Sequence, residues 1–183
     1  MKYLPWIHRG ILLTLISLVI GGVVYFHTTV DPLITLERAV QAVVYVETGY
    51  RSAPGVHLYW QAQRLEHVLS FVNGATITYG PLADSYGVTN TQTRQIHIDD
   101  TLSWNGRFEV LTHEAGHLLQ PGRLNSVEAE VFAEGVSYLV LRHYKHDRLE
   151  LHAHYLSSRK AGLHVLREFA TDIRYAAQIL TVR

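Results

Sequence analysis

No cysteine occurs in the 183-residue sequence, and methionine occurs once. The first absence removes disulfides, thiolate zinc sites, iron-sulfur clusters and a cysteine nucleophile together. Net charge is lacking as well. The 16 basic side chains balance 16 acidic ones at a pI near 7.2, which leaves no electrostatic footprint for nucleic acid, and no nucleic-acid partner is expected. Low hydrophobicity with high net charge, the composition of disorder, is also missing: 48% of residues are hydrophobic, enough to build a packed core. The length suits one domain. Against these absences stands one excess, the 12 histidines. Histidine is the commonest metal ligand and titrates near neutrality, so the excess points to metal or acid-base chemistry.

Charge is absent locally too. No Asp, Glu, Lys or Arg lies between Arg9 and Asp31, and Gly10 to Phe26 is almost continuously apolar. At a rise of ~1.5 Å per residue such a stretch spans roughly 31 Å, enough to cross a hydrocarbon core. Residues 1–30 therefore read as one transmembrane helix, with Trp6 and Tyr25 as interfacial anchors and Lys2 and Arg9 ahead of the span. The positive-inside rule puts the N-terminus in the cytoplasm and the rest of the chain outside. No small-x-small site follows Val24, so an uncleaved anchor is read in preference to a signal peptide. Without these residues the remainder carries 14 basic and 16 acidic side chains, slightly acidic.

Residues 31–74 read as a helical juxtamembrane part. Asp31-Pro32 marks a helix start, with Leu33, Leu36, Val40, Val43 and Val44 at helical spacing, and a second helix runs from about His57 to Val72 before Asn73-Gly74. Residues 75–183 follow as a second part. The period there changes to two over Ala75–Tyr79, Ser85–Thr89 and Arg94–Ile98, separated by Gly80-Pro81 and Asn90–Thr93, which predicts a small antiparallel sheet. Helices follow over Asn105–Leu119, stopped by Pro121-Gly122, and over Ser126–Tyr144. A terminal one begins near Ser158, with Leu163, Leu166, Phe169, Ala170, Ile173, Ala177 and Leu180 on one stripe. The class is α+β.

The chemistry sits in His113-Glu-Ala-Gly-His117. Positions i and i+4 of a helix share a face, so both imidazoles can meet one ion, while Glu114, rotated by about 100°, can reach a water held on it. Hydrolytic zinc chemistry uses this set: neutral nitrogen ligands, and a carboxylate that accepts a proton from a water acidified by the metal. A catalytic zinc wants a third protein ligand. The extended motif with Gly and a third His is excluded, because Gln120 and Arg123 occupy those positions. Glu128, Glu130 and Glu134 remain. Glu130 and Glu134 share a face, so Glu130 is taken as the ligand, with Glu134 hydrogen-bonding a ligand histidine from behind. Glu128 points about 200° away from Glu130 and is the reserve.

His113–His117 followed by Glu130-Val-Phe-Ala-Glu134 resembles the ImmA/IrrE-type metallopeptidases and the metallopeptidase domain of ArdC-type antirestriction proteins, which share HExxH followed by a Glu-x-x-Ala-(Asn/Asp/Glu) helix. The resemblance takes in Gly87–Ile98 upstream and Tyr155-Leu and Ala176-Ala177 downstream, covering roughly residues 75–183. It implies a zincin-like fold, with His113, His117 and Glu130 as zinc ligands and Glu114 as general base. Those families are mostly cytosolic and often carry a DNA-binding region, whereas nothing here resembles a helix-turn-helix.

Further expectations concern single residues. Tyr155 or His154 could donate to the oxyanion of a tetrahedral intermediate. His143, His146, His152 and His154 read as solvated surface in preference to a second metal site. His97 reads as the solvent-facing residue of its strand, and Arg94–Ile98 as an edge strand that a peptide or protein substrate would join. The function expected is a membrane-anchored, zinc-dependent peptidase. The alternatives are a catalytically silent metal-binding sensor or interaction domain, and an antirestriction or regulatory role by family analogy.

Overall fold

In a computed structural model, residues 31–42, 57–146, 148–159 and 162–181 are described. They form helices α1 (Pro32–Ala42) and α2 (Tyr59–Asn73), strands β1 (Thr76–Gly80), β2 (Gly87–Asn90) and β3 (Gln95–Asp99), and helices α3 (Trp104–Leu119), α4 (Ser126–His143), α5 (Leu149–Ser157), α6 (Gly162–Glu168) and α7 (Ala170–Thr181). The α+β class is as expected.

The sheet is mixed, which corrects the antiparallel expectation. Its order is β1-β3-β2, with β3 parallel to β1 and antiparallel to β2. A tight connection over residues 91–94 joins β2 to β3, with Asn90 Oδ1 accepting from Gln92 N and Thr93 N at 3.0 Å and Arg94 in the left-handed region at φ 55°. The same chain then inserts between β1 and β2, because β3 carries the most buried side chains: Ile96 and Ile98 are both inaccessible. A strand buried this way gains by being paired on both edges. Arg94–Ile98 is therefore not an edge strand and cannot accept a substrate strand; the edges are β1 and β2.

The main core lies where α4 packs against α3 and α7, around the buried side chains of Phe108, Phe132, Tyr138 and Ile173. Each such side chain contributes about 1.5–3 kcal/mol by leaving water. Local signals set the two central helices. Ser103 caps α3, its Oγ accepting from Gly106 N at 3.2 Å, and Pro121 stops it by holding Gln120 extended at φ −66°, ψ 147°. Asn125 opens α4 in a capping box with Glu128: Asn125 Oδ1 accepts from Glu128 N, and Glu128 Oε2 accepts from Asn125 N, each at 3.0 Å. The pairings Gly116 with Ala133 and Thr112 with Ser137 run in opposite senses along the chain, so α3 and α4 are antiparallel.

Two further readings are corrected. Leu149–Ser157, which falls between the expected helices, is itself a helix, and the expected terminal helix is two, α6 and α7, which meet at the buried Phe169. The expected transmembrane segment, residues 1–30, lies outside the described residues. Among the described residues no helix is long and apolar enough to cross a membrane; α4, with 18 residues, carries Glu128, Glu130, Glu134 and Arg142. The described helices therefore do not support the expected single-pass membrane protein with its domain outside.

Candidate metal centre

The close approach of α3 to α4 decides the site. A Cβ on Gly116 would come within 2.6 Å of Ala133 Cα and 3.0 Å of Ala133 Cβ, so only glycine lets the two backbones touch here. Residues one helical turn from this contact face each other across a short gap. Glu130 projects from α4 between the two histidines of α3, its Oε2 3.5 Å from His113 Nε2 and its Oε1 3.4 Å from His117 Nε2. The imidazole rings lie 5.0 Å apart, nearly perpendicular. Ligand atoms of His113, His117 and Glu130 lie within 4.8 Å of one another, close enough to hold a metal ion, and this is the single such group found among the described residues. Two imidazole nitrogens and a carboxylate form a donor set suited to a divalent cation.

Each histidine is held at its other nitrogen. His113 Nδ1 lies 2.9 Å from Glu134 Oε2, and His117 Nδ1 lies 3.4 Å from Gln120 Oε1. Glu134 thus stands behind His113, on the nitrogen that does not face Glu130. Its second oxygen, Oε1, meets His152 Nδ1 at 2.7 Å. Glu128 is committed to the capping box at the start of α4, which removes it as a reserve ligand.

The cluster responds strongly as a set of charges. Burial pulls the His113 pKa down, but hydrogen bonds to Glu130 and Glu134 outweigh it, with the charges of Glu134 and Glu114 adding to them, and hold the imidazole up at about 10. Hydrogen bonds from His113 and His117 drive the Glu130 carboxyl far below the ordinary carboxylate range despite its partial burial. Burial pushes the Glu134 carboxyl up, yet His152 and His113 pull it down to about 2. These directions describe a carboxylate-rich pocket that holds a cationic histidine in the metal-free protein, and a divalent ion would take that positive charge over.

A cleft of about 680 Å³ opens beside the cluster, lined among others by His113, Glu114, Glu130, Glu134, His152 and Tyr155. His117 lies outside this lining and joins the group through Glu130 and the His113 ring. Glu114 is buried, and its Oε2 accepts a 2.6 Å hydrogen bond from Thr89 Oγ1 of β2. The strand comes this close because its first residue is glycine: a Cβ on Gly87 would press on Val110 and lie 2.9 Å from Glu114 Cγ. Tyr155 donates its hydroxyl to Glu130 Oε2 at 2.6 Å and receives a hydrogen bond from Arg159 Nη2 at 3.0 Å. Burial first, then the Glu130 hydrogen bond and charge, raise the Tyr155 pKa, so the phenol keeps its proton. His154 does not line the cleft.

The remaining histidines divide differently from expectation. His143 is exposed, as expected. His146 instead bonds the buried Glu109 at 2.8 Å, beside Arg148 at 2.6 Å, and His152 is buried against Glu134. His97 is half-buried, bonded to Thr78 Oγ1 at 2.8 Å across the β1–β3 pair, and is not a free surface residue. Thr89 and His152 are the site residues that sequence reasoning missed. His152 left a trace, since it falls at helical spacing with Leu149, Ala153 and Leu156; Thr89 left none.

No protein-family model, no curated protein and no solved structure matches the chain.

Proposed function

We propose that the chain is a zinc-dependent peptidase that hydrolyses peptide bonds in the cleft beside His113. The observation that carries this reading is the meeting of Glu130 with both Nε2 atoms of a histidine pair spaced i, i+4, while Glu114, the residue after the first histidine, faces the adjoining cleft. The resemblance of the His113–His117 and Glu130–Glu134 sequence motifs to those of ImmA/IrrE-type and ArdC-type metallopeptidases supports the same reading. His113, His117 and Glu130 would hold the ion. When bound, zinc supplies a Lewis acid for the scissile carbonyl and lowers the pKa of a water to roughly 7.

The chain's own residues do the rest. Glu114, fixed by Thr89, takes a proton from the attacking water and returns it to the leaving amine. Tyr155 keeps its proton and stands beside Glu130, where it can donate to negative charge developing on the substrate oxygen. β2 is the sheet edge at the cleft, with Gly87 in its lining, so an extended peptide would pair there, not along Arg94–Ile98.

Comparison of wild type with Glu114→Gln tests the proposal. Both should bind zinc equally, and the wild type should cut a mixed peptide library at least ~100-fold faster, the scale of general-base loss. Equal cutting by both, or cutting by neither at full zinc occupancy, would exclude the peptidase reading.

A further inference from the structure

We infer that His152 is a positioning residue for the metal centre, acting through Glu134 on His113. The inference rests on the metal-binding part of the reading above and does not require peptide hydrolysis.

Helix α5 meets α4 in two rungs. Its Tyr155 bonds Glu130, and its His152, one turn earlier, bonds Glu134, one turn later on α4. Both rungs continue to His113, since Glu130 Oε2 faces its Nε2 and Glu134 Oε2 faces its Nδ1. The lower rung fixes proton positions. An ionised carboxylate only accepts hydrogen bonds, so the nitrogens that meet Glu134, His152 Nδ1 and His113 Nδ1, are both donors. With its remaining proton on Nδ1, neutral His113 offers its lone pair at Nε2, the nitrogen that faces Glu130. The tautomer a metal needs is thus set from behind the ligand.

Glu134 can do this only if it stays put. Its side chain is 13% exposed and that of His152 is 8%, so water contributes little to holding the carboxylate, and each oxygen depends on one histidine. The His152 ring is itself held edge-on against Tyr138, with centroids 5.4 Å apart and planes at 68°. Removing the His152 donor leaves one oxygen of a largely covered carboxylate unsatisfied, and turning the carboxyl to find another partner breaks its contact with His113. A histidine that merely filled space would show no such link: its loss would change packing and leave His113 as it was.

The test measures zinc affinity by chelator competition on the full chain, together with the NMR signal of the His113 Nδ1 proton in the zinc-loaded protein. His152→Ala and His152→Phe remove the donor, the second while keeping a ring against Tyr138. His152→Asn keeps a donor near the position of Nδ1. Both donor-free variants should bind zinc about 10-fold or more weakly than wild type, the usual cost of losing an outer partner, and should shift or lose the His113 Nδ1 signal. Asn should recover most of the affinity. If His152→Ala does not fold, Phe and Asn carry the comparison. The inference is overturned if Phe binds zinc as wild type does with an unchanged His113 signal, or if Asn is no better than Phe. Wild type that takes up no zinc overturns the metal centre and this inference together. Zinc uptake with the expected variant series but without peptide cleavage overturns the peptidase reading alone.

Discussion

Thr89 Oγ1 donates a 2.6 Å hydrogen bond to Glu114 Oε2, joining the edge strand β2 to the proposed general base across 25 residues of sequence. The bond leaves Oε1 as the oxygen free of Thr89 and fixes the carboxylate against the cleft wall. A hydrogen bond to a charged group contributes about 1.5–3 kcal/mol, so Thr89→Val should slow peptide cleavage by about 10-fold or more through misplacement of Glu114. Zinc content should not change, because Thr89 touches no ligand. Thr89→Ser, which keeps the hydroxyl, should stay near wild type. Steady-state kinetics beside metal analysis of the three proteins checks this.

The contact between Gly116 and Ala133 leads to a second expectation. The atoms a new Cβ would strike include backbone, at 2.6 Å for Ala133 Cα and 3.1 Å for Ala133 O, and cannot swing aside as a side-chain end would. Gly116→Ala should therefore push α4 outward, costing about 1–3 kcal/mol of stability in spite of alanine's better helix propensity. Glu130 and Glu134 travel with α4, so zinc affinity should fall together with the melting temperature. A variant that melts normally and binds zinc normally would show that the helices are not pinned here.

The legible parts of this fold were those with local punctuation. Helices α3 and α4 begin and end within a residue or two of their expected limits because Ser103, Pro121 and Asn125 mark their ends, and the i, i+4 spacing carries His113 with His117 and Glu130 with Glu134 onto shared faces. The strand order was not legible. The alternation of Ile96 and Ile98 marks a strand, but whether one edge or both are paired depends on partners elsewhere in the chain. Leu149–Ser157 was hidden by polarity, since His152 occupies a core position and its burial depends on Glu134, 18 residues away. The partnership of Thr89 with Glu114 is set by how closely β2 lies on α3, which Gly87 permits but does not announce.

Zinc binding should depend on pH in a defined sense. In the metal-free protein His113 is held protonated up to about 10, so binding below that pH must expel its proton. Apparent affinity should rise by roughly 10-fold per pH unit between about pH 7 and pH 9 and flatten above about 10. The same raised pKa stabilises the metal-free fold; that contribution is complete below the ordinary histidine value of 6.5 and is lost as pH rises through about 10. Calorimetry in buffers of different ionisation heat should register about one proton released per zinc at pH 8; no release would place the charge elsewhere.

Glu128 and Glu130 lie two residues apart on one helix and should fail differently when replaced. Glu130 stands between His113 and His117, so Glu130→Ala removes the carboxylate that faces both Nε2 atoms and should cost ~100-fold or more in zinc affinity. It also takes away the acceptor of the Tyr155 hydroxyl. Glu128 accepts from Asn125 N and closes the capping box, so Glu128→Ala should lower stability by about 0.5–1 kcal/mol and leave zinc affinity within about 2-fold of wild type. Thermal melts of the metal-free proteins and zinc titrations of the folded ones separate the two losses. Zinc retained by Glu130→Ala and lost by Glu128→Ala would require the first turn of α4 to unwind when the ion binds, because the cap and the site lie on different faces of the helix.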